Sequence, residues 1–340
     1  MLANLALVAM WVGLTCYALF AGADFGAGAW DLLAGGADRG AAQRRLIEHS
    51  IGPVWEANHV WLIFVIVLMW TCFPAVFAAV MSTLYLPLTL AALGIIARGA
   101  SFAFRKVVQR PWQRRLFGGL FASSSVLTPF FLGTVAGAVA SGRVPPGLAA
   151  GDPVASWTGP SSLLGGALAV LVCAYLAAVY LCADAVRAGR PELASAFRLR
   201  GLITGGLTGV VALAGIGVLA NDAPKLFAGL TGRALPLVVF SAVAGIVELG
   251  LLWSRRYVAA RVVAALAVTA ILWGWAVAQY PVMLEPNVTV AAVAAQSSVL
   301  GPVLIVLVVG AVILAPSLWW LYSLSQHATP PPRPEAADGG

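Results

Sequence analysis

Asp24, Glu56, His59, Arg98, Asp184 and Glu248 stand within or at the ends of long apolar runs. An ionisable side chain in such a run costs roughly 2.5–3.5 kcal/mol on insertion scales, so each is a candidate for function. Carboxylates and imidazole accept and release protons once burial tunes them, and a guanidinium supplies a fixed counter-charge. Proton transfer is the chemistry this set could perform. The competing reading is structural: Asp24, Glu56 and Asp184 as interfacial charges in headgroup water, with Arg98 snorkelling to the same surface. Glu56 and His59 also have the i, i+3 spacing of di-iron carboxylate bundles, but those need two such pairs and two further Glu. The other histidines, His49 and His327, fall in a loop and in the tail. A bis-histidine haem with both ligands inside apolar runs is therefore excluded, and no metal site is expected in this chain.

The elements that must hold these residues are membrane-spanning helices. Of the 340 residues, 61% are hydrophobic and 10% charged, and the mean hydropathy is +0.93. A soluble domain carries about 25% charged residues. A span needs roughly 20 apolar residues, and lipid offers no partner to an unpaired backbone group, so helices are expected. The apolar runs are 2–22, 54–80, 83–104, 116–140, 162–185, 201–220, 234–253, 257–279 and 298–322, which predicts about nine spans. The second and third are split near Ser82, with Pro74 and Pro87 kinking the flanking helices. Only Ser254, Arg255 and Arg256 separate the seventh from the eighth. Gly201, Gly205 and Gly209 form a small-residue face suited to close helix packing.

Charge orders these spans. Arg39, Arg44 and Arg45 lie in the first loop, Arg105, Lys106, Arg110, Arg114 and Arg115 in the third, Arg187, Arg190, Arg198 and Arg200 in the fifth. Arg255, Arg256 and Arg261 mark the seventh, and Arg333 the tail. The even loops hold only Arg143, Lys225 and Arg233. The positive-inside rule then places the odd loops and C-terminus in the cytoplasm and the N-terminus outside. All the intramembrane candidates fall toward the cytoplasmic side. The net charge of +7 is topological and does not indicate nucleic acid. Cys16, Cys72, Cys173 and Cys182 sit in apolar runs without C-x-x-C spacing and read as small hydrophobes. The first run lacks a basic n-region and reads as a retained span. Residues 1–326 read as one transmembrane domain, and 327–340 as a disordered cytoplasmic tail rich in Pro, Gly and Ala.

Several motifs then fall in a recognisable order. Gly22-Ala23-Asp24-Phe25-Gly26-Ala27-Gly28 resembles the G-x-D-F-G-x-G of the cytochrome bd quinol oxidase subunit II family. Ile51-Gly52-Pro53-Val54-Trp55-Glu56-Ala57-Asn58-His59-Val60-Trp61-Leu62-Ile63 resembles its I-G-P-x-W-D-G-N-x-V-W-L-I. Phe73-Pro74, Ser82 to Leu88, Arg98-Gly99 and Phe102-x-Phe104-Arg105 follow, and Tyr280-Pro281 with Thr289 to Leu300 matches more loosely. The likeness covers the first 110 or so residues well and the last 60 loosely. The sequence departs from the pattern with Glu for Asp at 56, Ala for Gly at 57, His at the variable position 59, and Phe64-Val65-Ile66-Val67 where the family is Gly-rich.

The resemblance implies an all-α membrane protein of nine helices, two four-helix bundles plus one peripheral helix. It implies the non-haem subunit of a bacterial cell-membrane enzyme that oxidises quinol and reduces dioxygen to water. The haems b and d and the quinol site are expected in a partner, the haem-bearing subunit I, so this chain alone is not catalytic and binds no cofactor. A small single-helix accessory subunit is an optional further partner, beside membrane lipid. Asp24, Glu56 and Arg98 match the family's proton-path positions, with His59 beside them. Gly22, Gly26, Trp55 and Asn58 belong to the structural motifs, and Asp184 and Glu248 are weaker proton candidates. A secondary transporter with intramembrane charges is the alternative, and a scaffold without a proton role is a third reading.

Overall fold

The structure is a computed structural model that describes residues 1–35, 39–51, 55–108 and 110–327. Within these, the side chains of residues 51, 55–57, 106, 111, 318, 321, 322 and 324–327 lie outside the description. The chain is almost wholly helical. Its elements are α1 (Leu2–Leu32), α2 (Ala41–Ile51), α3 (Trp55–Cys72), α4 (Pro74–Thr83), α5 (Tyr85–Val107), α6 (Pro111–Ala140) and α7 (Ala155–Thr158). There follow α8 (Pro160–Arg187), α9 (Pro191–Asp222), α10 (Pro224–Thr231), α11 (Leu235–Trp253) and α12 (Tyr257–Gln279). A short antiparallel pair, β1 (Val282–Leu284) and β2 (Val288–Thr289), precedes α13 (Val290–Val293) and α14 (Ser297–His327).

Proline starts several of these helices. Pro74, Pro111, Pro160, Pro191 and Pro224 each open one, where the missing N–H would have had no intrahelical partner. Eight helices among the described residues are long and apolar enough to cross a membrane: α1, α5, α6, α8, α9, α11, α12 and α14. The remaining expected span, 54–80, is the pair α3 and α4, broken at Phe73 ahead of Pro74. The split near Ser82 falls a little later, at Leu84 between α4 and α5, and Pro87 sits in the first turn of α5. α1 runs ten residues past the end of its strongest apolar stretch, so Asp24 lies inside the helix rather than just beyond it.

One bundle comprises α1, α3 with α4, α5 and α6; the other comprises α8, α9, α11 and α12; α14 lies outside against α1 and α3. The bundles meet where α8 packs on α1 and α6. α8 is accordingly the most enclosed helix, and Tyr175, Leu176, Val179 and Leu181 form a core with Phe197, Leu252, Trp30 and Phe121. The hairpin between α11 and α12 turns at Arg255, with φ of 59°. Of the small-residue face on α9, Gly201 packs against Leu252 and Gly205 against Leu249 and Tyr175, whereas Gly209 faces nothing within 4 Å. The tail beyond residue 327 lies outside the described residues.

Candidate functional site

Asp24 on α1 and Arg98 on α5 form a bidentate ion pair within the first bundle. Arg98 Nη1 donates to Asp24 Oδ2 at 3.0 Å and Nη2 to Oδ1 at 2.8 Å. Nη2 also reaches the Asp24 carbonyl at 3.2 Å, and Nε donates to Ser125 Oγ on α6 at 3.0 Å. Arg98 is 1% exposed, so it does not snorkel. Its guanidinium stands 5.0 Å from the Phe25 ring centre and 4.9 Å from that of Phe121. Fork geometry, two aromatic faces and a hydroxyl acceptor are what let a guanidinium be buried at all.

The glycines of the first motif make room for this. A Cβ on Gly26 would overlap the Cys173 carbonyl on α8, and one on Gly28 would overlap the Ser125 hydroxyl. Gly28 thus admits the hydroxyl that accepts the hydrogen bond from Arg98 Nε. Gly22 is looser, 3.7 Å from Cys173.

A second ion pair repeats the first two helical turns further along. Asp31 on α1 accepts from Arg105 on α5 at 2.8 and 3.4 Å. Arg105 also pairs with Glu48 at 3.2 Å, and Arg44 lies 3.7 Å from Asp31. Both steps are seven residues, 24 to 31 and 98 to 105, which returns each helix to the same face. From Tyr17 at the midpoint of α1, Asp24 lies about 10 Å and Asp31 about 21 Å along the axis, so the Asp31 rung is the one nearer the helix end. Asp31 and Arg105 were absent from the sequence candidates because 31 lies past the apolar run and Arg105 counts as a loop charge. The shared seven-residue spacing was the signal that could have found them.

On the other side of the inner rung stands His59 on α3. Its ring centre is 5.8 Å from that of Phe25 and 6.3 Å from that of Tyr17. Asn58, almost wholly buried, donates to the Phe20 carbonyl at 3.4 Å and ties α3 to α1. Glu56 and Trp55 lie in the first turn of α3, but their side chains are outside the described residues. The structure therefore brings Asp24, Arg98 and His59 together. It does not bring Asp184 or Glu248 to them. Asp184, near the end of α8, faces Arg187 at 3.7 Å and Arg261 at 3.6 Å, an interfacial cluster. Glu248 on α11 is fully buried in the second bundle, and neither carboxyl oxygen has a hydrogen-bond partner among the described residues. Tyr175 is the polar side chain beside it, close enough to interact with the carboxyl though outside strict hydrogen-bond geometry. Among the described residues, no group of three or more His, Cys, Asp or Glu is placed to hold a metal ion.

The family described as cytochrome bd terminal oxidase subunit II matches residues 2–325. This chain belongs to that family. Cytochrome bd ubiquinol oxidase subunit 2 of Bacillus subtilis (strain 168) is 28% identical over 153 residues, 45% of this chain and 44% of the relative. Cytochrome bd-I ubiquinol oxidase subunit 2 of Escherichia coli (strain K12) is 30% identical over 127 residues, 37% of this chain and 32% of the relative. The matched stretches thus span less than half the length of either relative. A chain from "The structure of bd oxidase from Geobacillus thermodenitrificans" superposes with a TM-score of 0.79 at 24% identity. That likeness covers 96% of this chain and 99% of the other, and it shows the fold. As a subunit II family member with helices of spanning length and composition, the protein is a multi-pass membrane protein.

Proposed function

We propose that this chain is the non-haem subunit of a quinol:dioxygen oxidoreductase in a bacterial cell membrane. It supports a haem-bearing subunit I, which carries haems b and d and the quinol site, and it passes protons to that partner from the cytoplasm. Reduction of dioxygen to water consumes protons at a site shielded from bulk water, so groups that accept and release them must line the way. The observation that carries this reading is the buried Asp24–Arg98 pair with His59 beside it. The Arg98 guanidinium fixes the carboxylate through its fork of two hydrogen bonds. Each Asp24 oxygen keeps a further lone pair on the side away from the guanidinium, where a passing proton can be received. His59 is the carrier beside it, since an imidazole takes a proton on one nitrogen while releasing from the other, and Glu56, one turn earlier on α3, is the second carrier. The cytoplasmic supply rests on the basic bias of the odd loops.

Two measurements test this. In the two-subunit complex, Glu56→Gln should lower quinol-driven oxygen uptake severalfold at constant haem content, while Glu56→Asp retains most of it. Wild-type uptake in Glu56→Gln would remove Glu56 from the path. For orientation, a reporter fused after Arg115 should read cytoplasmic and one after Pro146 external; the opposite pair of readings would reverse the direction of supply.

A further inference from the structure

Tyr17 occupies the third position of the α1 face that carries Asp24 and Asp31, again seven residues away. Its side chain is buried at the middle of the helix, yet its hydroxyl has no hydrogen-bond partner among the described residues. The same holds for His59 Nδ1 and for Asn58 Oδ1 on the facing helix. Three orphaned polar atoms on two touching helices are unusual, because buried polar groups are nearly always paired with protein or with ordered water. The Tyr17 and His59 rings are tilted by 50° with centres 6.3 Å apart, and their polar atoms do not bond directly. Among the described residues, Phe25, Ala21, Trp61, Leu62 and Ile95 form the apolar packing around Tyr17. Among the described residues, the titratable or charged groups that act on Tyr17 and His59 are Asp24, Arg98 and Cys173.

We propose that Tyr17 and His59 hold an internal water above the Asp24–Arg98 pair, and that this water extends the proton path from that pair toward the middle of α1. The inference rests on the proton-delivery reading. Tyr17 donates its O–H to the water oxygen and thereby fixes it; His59 Nδ1 and Asn58 Oδ1 accept from it. A proton arriving from the Asp24 side joins the water as another leaves it for His59, so the water is regenerated and no group on Tyr17 changes charge. Tyr17 is thus a positioning residue, and a phenylalanine there would fill the same space without fixing the water.

The test uses the assembled two-subunit complex. Tyr17→Phe should lower oxygen uptake severalfold and raise the ratio of rates in H2O and D2O, with haem content and melting temperature unchanged. A structural role alone would not move the isotope ratio. His59→Gln should give the same uptake defect, and the double variant should be no worse than either single one. Asp24→Asn serves as the reference in the same preparation. Slow turnover in Asp24→Asn with wild-type uptake and isotope ratio in Tyr17→Phe overturns the water site alone. Wild-type turnover in both overturns proton delivery as well. Should Tyr17→Phe fail to assemble, a high-resolution structure of the wild-type complex decides: a water within hydrogen-bond distance of both Tyr17 Oη and His59 Nδ1 supports the site, and a dry contact overturns it.

Discussion

Asp24 in the first bundle meets a guanidinium with both of its oxygens, while Glu248 in the second bundle meets no charged partner among the described residues, only the neighbouring Tyr175. The two carboxyl groups are buried to a similar degree within membrane-crossing helices. They differ in what the neighbouring helices bring. α5 and α6 present Arg98, Ser125 and Phe121 to Asp24, and glycines on α1 let them come close. α8 presents Tyr175 beside Glu248, and the α9 glycines Gly201 and Gly205 pack against its α11 neighbours Leu252 and Leu249. A paired, buried ion is costly to break, because the survivor is left desolvated. An unpaired carboxyl has already met the cost of leaving water. Burial alone therefore does not distinguish the carboxylate proposed to work from one that is tolerated; on that proposal the partner does.

The largest expected effect tests the paired side of that contrast. Asp24→Asn removes the charge opposite Arg98 and leaves a guanidinium stranded at 1% exposure. Stranding one member of a buried pair costs about 3–5 kcal/mol. The variant should therefore lose thermal stability in the purified complex as well as turnover, which makes it a harsher change than an amide exchange at an unpaired acid. Adding Arg98→Met to Asp24→Asn should recover most of the stability and none of the turnover. Stability lost equally in the single and double variants would show that the pairing itself is not what holds Asp24.

An intermediate effect is expected at the outer rung. Asp31→Asn breaks the same type of pair, but Arg105 is 17% exposed and keeps Glu48 as a second partner. Water reaching this partly exposed rung screens what remains. The cost should be about 1–2 kcal/mol, smaller than at Asp24 and shrinking with added salt. A melting temperature that falls as far as for Asp24→Asn would mean that the two rungs form one cooperative unit.

Much of this architecture was legible in the sequence, for a physical reason. Lipid forces each span to be long and apolar and each loop to declare its side by charge, so run lengths and arginine positions carry the fold. Two boundaries were not legible. α1 continues to Leu32 through Gly22–Gly28, where small residues lower hydropathy but fill the interfaces with α6 and α8. The break at Phe73 depends on Pro74 starting a new helix, whereas Pro129 within α6 leaves its helix continuous. At the site, residue types at 24, 59 and 98 marked the right helices, but which acid meets which base is a matter of helix rotation. That information lay in the seven-residue steps from 17 to 24 to 31 and from 98 to 105. Ser125 was invisible, since a serine in an apolar helix ordinarily bonds back to its own backbone, as it also does here to the Phe121 carbonyl at 2.6 Å.

The smallest expected effect tests the unpaired side. Glu248 is fully buried, with both oxygens orphaned. Leucine matches its volume closely and suits the surrounding walls. Replacing an unsatisfied buried polar group by an apolar one of the same shape is nearly neutral or stabilising, within a penalty of about 1–3 kcal/mol for the orphaned group. In a bilayer the gain shrinks, because the dissociated helices also find partners for their polar groups. Glu248→Leu should therefore leave oxygen uptake at the wild-type level and raise the melting temperature slightly or not at all. Glu248→Gln should be worse than Glu248→Leu, since the amide keeps donors and acceptors that the site does not satisfy. The reverse order would mean that Tyr175 moves to bond the side chain in the assembled complex. A severalfold loss of uptake in Glu248→Leu at constant haem would go further. It would make Glu248 a proton carrier in the second bundle, and the rule that the partner identifies the working carboxylate would fail at the residue chosen to illustrate it.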